Sequence, residues 1–364
     1  MKKIYNIVTI ISIIYFFLML GLDLHFVINN KNSVGSSVPT FGANIIYILL
    51  MAVPLIFLIS VRLIIKCICK RRGVVLPFEL HIRDNMKKVK DTKIFCIVAV
   101  IGIILIIISF VLILQNKVLY YPSYDNLAYI NLTSNENNAL EEISISTDTV
   151  TYHGWGYKRS SDCPTVIYFG GNAQSSENFF ADLNDKSGWD NFVNCNIIMI
   201  DYPGYGLSEG KPGYKNILKM ADATYKYVEE NDFYGNKEII VMGFSLGTGV
   251  ATYVASSYNV NGLILVAPYN NAKGLYNNVC NIFHGPLEIL IRNPFPSDQF
   301  AQNITIPVLI IASEDDEVIP YKLSYQLKDL FVNNEFITTE GLNHNELLDD
   351  ESVLNKVKQY LNNY

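Results

Sequence analysis

EIIVMGFSLG, residues 238–247, decides the fold. After Glu238 its next four residues are apolar and rich in β-branched side chains, as in a strand buried on both faces of a parallel sheet. The stretch that follows, residues 246–257, has helical spacing. Between them lies Gly243-Phe244-Ser245-Leu246-Gly247. The two glycines let a strand turn sharply into a helix with no Cβ in the way, so Ser245 projects from the turn with its oxygen exposed. The Leu246 amide and the positive end of the helix then face any oxyanion formed at that oxygen.

The same strand pattern recurs at TVIYF 165–169, NIIMI 196–200, GLILVA 262–267, IPVLIIA 306–312 and residues 335–339. Helical spacing fills the gaps, most clearly at 213–231, and 349–361 supplies a closing helix. Alternating strands and helices predict a mostly parallel, doubly wound α/β sheet. Upstream, residues 143–146 alternate as a strand does, and 149–157 supply its partner. The Asn-rich residues 126–138 read as loop or linker.

A serine hydroxyl needs a general base. Of five histidines, His344 in Gly341-Leu342-Asn343-His344 follows the last strand, where the chain order serine, acid, histidine expects the base. The base needs an orienting carboxylate, and Glu314-Asp315-Asp316-Glu317 lies after the strand 306–312. Asp316, in the D-x-x-[VI]-P pattern of residues 316–320, is the first choice and Asp315 the second. The second oxyanion donor is expected after an early strand, where Phe169-Gly170-Gly171-Asn172-Ala173 offers the Asn172 amide beside that of Leu246.

The N-terminal third has another character. Residues 4–22, 43–61 and 94–116 are apolar runs of 19, 19 and 23 residues, each long enough for a membrane-spanning helix of about 20 residues. The loop 66–93 carries nine Lys and Arg, whereas 29–42 carries only Lys31. Positive loops stay on the cytoplasmic side. The expected topology starts inside, crosses three times and leaves residues 118–364 on the extracytoplasmic side of the cell membrane. Charge divides at the same boundary: residues 1–117 hold 14 basic and 4 acidic side chains (+10), residues 118–364 hold 14 and 30 (−16), summing to −6. The acidic half lacks the basic footprint that nucleic-acid binding requires. The six cysteines show no zinc-site or disulfide-framework spacing.

Taken together, Gly154-Trp155, GGNA 170–173, DYPGYGLSEG 201–210, GFSLG 243–247, DEVIP 316–320 and GLNH 341–344 resemble the α/β-hydrolase superfamily, most closely its serine aminopeptidase-like and protein-depalmitoylase-like branch. The resemblance covers residues 118–364 and not the three apolar runs. It implies a serine hydrolase with the catalytic triad Ser245, Asp316 and His344 and an oxyanion hole at Leu246 and Asn172, which the three apolar runs are expected to anchor in the membrane. It implies no cofactor or metal. Residues 268–305, short for a large lid, are expected to form a short cap whose apolar side chains line an acyl-sized pocket or simply pack, and the expected substrate is a small-molecule or lipid-like ester or thioester. A serine peptidase and a silent binding protein are the alternatives on the same fold. Two positions depart from the branch: Gly170 replaces a histidine that braces the loop, and Pro203 replaces an arginine. Asp201 reads as structural.

Overall fold

The computed structural model describes residues 112–364 apart from 113–114, 117–118, 134–138, 186–193, 232, 236 and 280. The two earlier apolar runs, the basic loop, and all of the third run except Leu112, Gln115 and Asn116 lie outside these residues. Contacts divide the chain into Met1–Val111 and Leu112–Tyr364. Among the described residues no helix is long and apolar enough to cross a membrane.

Eight strands form one sheet: β1 (Leu140–Ser146), β2 (Thr151–Tyr157), β3 (Thr165–Phe169), β4 (Asn196–Ile200), β5 (Ile239–Phe244), β6 (Gly262–Val266), β7 (Val308–Ser313) and β8 (Asn334–Thr339). Their order is β1-β2-β4-β3-β5-β6-β7-β8. The hairpin β1–β2 joins the sheet antiparallel through β2 and β4, and every later pairing is parallel. β3, β4, β6 and β7 are buried along their whole length, so their apolar runs are continuous rather than alternating.

Helices cover both faces. Phe179 and Phe180 of α2 (Ser176–Asp185), with Val353, Val357 and Leu361 of the C-terminal helix Glu351–Leu361, share one core with Trp155, Tyr168, Met199, Met242 and Ile311. The other face carries α3 (Tyr214–Glu230) and α4 (Leu246–Ser257). α4 is rich in Gly, Ala and Thr, and these small residues let it lie close against β5, β3 and β6. The C-terminal helix starts where Asp350 accepts from the amides of Ser352 and Val353.

The Asn-rich stretch is not the loop expected. Residues Asn126–Thr133 form α1, with Ala128 and Leu132 buried, and the helix packs on α2. Asp125 accepts hydrogen bonds from the amides of Leu127 and Ala128 and so caps its start. The two apolar residues at helical spacing decide the matter against weak local propensity.

The cap region contains α5 (Ala272–Val279), a 3₁₀ turn Gly285–Leu290 and α6 (Ser297–Ala301). Between β7 and β8 runs α7 (Tyr321–Lys328); the C-terminal helix is α8.

Candidate active site

The site forms at the C-terminal ends of β3, β5, β7 and β8. Ser245 sits between β5 and α4 with φ 51° and ψ −116°, a left-handed conformation rare for a residue bearing a Cβ. Its amide donates to the carbonyl of Val266, and its carbonyl accepts from the amide and hydroxyl of Thr248. The flanking glycines are obligatory here. A Cβ on Gly247 would overlap the carbonyl oxygen of Phe169, and one on Gly243 would come within 2.5 Å of the Gly247 carbonyl oxygen.

His344 opens a short 3₁₀ turn fixed by a reciprocal cap between Asn343 and Glu346. Its Nε2 lies 2.9 Å from Ser245 Oγ, and its Nδ1 lies 2.7 Å from Asp316 Oδ2. Asp316 Oδ1 accepts from the amides of Val318 and Ile319 at 2.8 and 2.7 Å. Ser245, Asp316 and His344 are all less than a tenth exposed. The carboxylate is thus held from both sides: two amides fix one oxygen and the imidazole takes the other.

The neighbouring acids are not idle solvated charge. Asp315 Oδ2 accepts from the Gly341 amide, and Glu317 Oε2 accepts from the His344 amide. Ser313 Oγ donates to the Leu342 carbonyl. All three bonds tie the loop after β7 to the loop that carries His344. The Phe244 ring stacks on the imidazole, with centroids 5.1 Å apart and planes 26° apart. Sequence reasoning missed Phe244, Glu317 and Ser313 as supports. Their partners lie far along the chain, and only the x of the Gly-x-Ser-x-Gly turn marked Phe244.

The loop 170–174 lies against this elbow; a Cβ on Gly171 would be 3.6 Å from that of Ser245. Gly170 was expected to loosen the loop, and the structure replaces the missing brace. Gln174 Oε1 accepts from the Gly171 amide and from Tyr168 Oη, and Tyr202 Oη donates to the Gly170 carbonyl. Asn172 is held by its own side chain. Its Oδ1 accepts from the Tyr121 amide and Tyr205 Oη, and its Nδ2 donates to the Leu119 carbonyl. The amides of Gly171, Ala173 and Gln174 have acceptors inside the loop. The backbone amide of Asn172 has none among the described residues, nor has that of Leu246 at the start of α4.

Asp201 is structural, as expected. It is fully buried and accepts from the Ser176 amide and hydroxyl at the start of α2. Of the other histidines, His153 lies on β2 between Glu142 (2.6 Å) and Asp201 (3.5 Å), and His284 contacts Asn281 on the cap. His25 and His81 fall outside the described residues.

Comparison with known proteins bears on the fold. The family described as alpha/beta hydrolase fold matches residues 164–286. Alpha/beta hydrolase domain-containing protein 17C of Mus musculus is 30% identical over 170 residues, which are 46% of this chain and 51% of that protein. An uncharacterized protein of Mycobacterium tuberculosis is 25% identical over 76% of this chain and 97% of its own length. The chain spans about half the length of the first curated relatives it matches. Among solved structures, the Pyrococcus furiosus esterase Pf2001 superposes with a TM-score of 0.52 at 20% identity, covering 67% of this chain and 98% of that one. Strand order, parallel register, elbow and family match converge on one conclusion: the described residues adopt the α/β-hydrolase fold.

Proposed function

We propose that this protein is a membrane-anchored serine hydrolase that cleaves a carboxylic ester or thioester through an acyl-enzyme on Ser245. The observation that carries the reading is the continuous chain Ser245 Oγ–His344 Nε2, His344 Nδ1–Asp316 Oδ2, at 2.9 and 2.7 Å among buried side chains. A relative 30% identical in sequence and named for a hydrolase domain agrees with hydrolysis.

Ser245 Oγ attacks the substrate carbonyl carbon while His344 Nε2 takes its proton. The carbonyl π electrons move to oxygen, and the amides of Leu246 and Asn172 receive that oxyanion. The tetrahedral adduct collapses, and the alcohol or thiol leaves with the proton that His344 returns. A water then attacks the acyl group with the same base, releasing the acid and restoring the serine. Asp316 holds the imidazole with Nδ1 protonated and stabilises the imidazolium formed in each half. No cofactor takes part. Anchoring rests on the three apolar runs, and their loop charges favour the extracytoplasmic side for the catalytic domain.

A membrane-impermeant fluorophosphonate tests both halves on intact cells. The expected result is labelling of the wild type and none of Ser245→Ala. Labelling only after lysis refutes the orientation. No labelling of folded protein in either condition refutes the hydrolase and favours a silent binding protein.

A further inference from the structure

Three apolar residues of the cap face outward. Tyr269, Tyr276, Phe283 and Phe295 are buried, but Ile282, Leu287 and Ile289 stand 48%, 47% and 87% exposed around the 3₁₀ turn. Exposed apolar clusters of this kind mark surfaces that meet something else. We propose that this tip of the cap rests in the lipid surface of the bilayer that anchors the protein. The proposal depends on reading residues 94–116 as a membrane span.

What selects a lipid surface is where the apolar run ends. Its last residues, Gln115 and Asn116, are bonded to the cap itself. Gln115 Nε2 donates to the Leu290 carbonyl at 2.6 Å, Gln115 Oε1 accepts from the Arg292 amide at 2.8 Å, and Asn293 Nδ2 donates to Asn116 Oδ1 at 2.8 Å. Arg292 also reaches the carbonyl of Leu112. A span that ends at Asn116 leaves the hydrocarbon there, so the polar headgroup layer begins at the residues that hold Leu290 and Arg292. Ile289 is the next residue along. The tip therefore cannot stand far from the bilayer surface.

Charge agrees. Arg292 is exposed beside the tip. Asn116 also donates to the Pro212 carbonyl, which places the exposed Lys211 and Lys215 at the same end. Glu288, the acid within the turn, is paired with Lys273 at 3.3 Å. Basic side chains beside exposed isoleucine and leucine suit an anionic headgroup layer over acyl chains. The same strap reaches the catalytic elbow, because Leu119 and Tyr121 hold the side chain of Asn172. Bilayer surface, cap and oxyanion loop thus share one end of the domain, and an acyl substrate in the membrane lies at the mouth of the site.

The test uses the full chain without substitution. The protein is reconstituted in vesicles containing phosphatidylcholine with a diazirine in its acyl chain and irradiated, and the adducts are mapped by peptide mass spectrometry. The expected result is adducts on 94–116 and on 281–291. Adducts on 94–116 with none on 281–291 overturn the contact of the cap and leave the anchoring intact. Adducts on neither overturn the anchoring, and this proposal with it.

Discussion

Asp316→Asn separates the orienting role of this carboxylate from its role in folding. Oδ1 accepts two backbone amides, from Val318 and Ile319. In the variant the carbonyl oxygen must stay there. Turning the carboxamide over would aim its NH₂ at two N–H donors and strand both, at about 1–3 kcal/mol for each buried bond lost. The NH₂ therefore faces His344 Nδ1, 2.7 Å away, and Nδ1 must become the acceptor. The ring proton then sits on Nε2 and points at Ser245 Oγ, so the base has no lone pair where it is needed. A triad locked in the wrong tautomer loses about 10⁴ in kcat, roughly 5 kcal/mol of barrier. Because both amide bonds survive, the variant should melt close to wild type. The assay is kcat on a short-chain p-nitrophenyl ester together with the rate of fluorophosphonate labelling. Asp315→Asn is the control: among the described residues its carboxylate accepts only from the Gly341 amide, and its rate should stay near wild type. A loss below tenfold in Asp316→Asn would refute the reasoning and pass the orienting role to Glu317, whose carboxylate holds the His344 amide.

Gly247→Ala should cost about 3 kcal/mol by overpacking, because its new Cβ overlaps the Phe169 carbonyl. For a domain of this size that lowers Tm by roughly 10 °C, read by thermal unfolding in detergent; an unchanged Tm would mean that the β3 end yields freely. His153 should make stability depend on pH. Burial pushes its imidazole down, but hydrogen bonds and charge from Asp201 and Glu142 outweigh that and hold it above the usual histidine value. A raised folded value means the stabilisation is complete below about pH 6.5 and fades as pH rises through the folded value. Wild type should therefore lose Tm between neutral and alkaline pH faster than His153→Gln, and parallel curves would refute the pairing.

The sheet was legible because strands buried on both faces have nowhere to put polar side chains. TVIYF and NIIMI, at 165–169 and 196–200, match β3 and β4 residue for residue. The elbow was legible because only glycine fits at 243 and 247. Ser245, His344 and Asp316 come together, as their order along the strands implied, with Leu246 next to the serine in the chain and Asn172 in the loop beside the elbow. What escaped was everything decided between distant segments. Nothing near Gly170 announces that Gln174 and Tyr202 will brace its loop. Nothing in an Asn-rich stretch announces α1, which exists because Ala128 and Leu132 find a buried surface. The exposure of Ile289 is equally invisible locally, since it sits in the apolar-rich run Leu287–Ile291, in which only Glu288 is polar.

The backbone of Ser245 sets stability and chemistry against each other. A side chain at φ 51° stores about 1–3 kcal/mol, and glycine there would forfeit only roughly 0.5–1 kcal/mol of chain entropy. Glycine at this position would therefore make the sturdier turn and, on the proposed mechanism, an inert protein. What the strained serine adds to the turn is its hydroxyl, the one group there that glycine cannot supply.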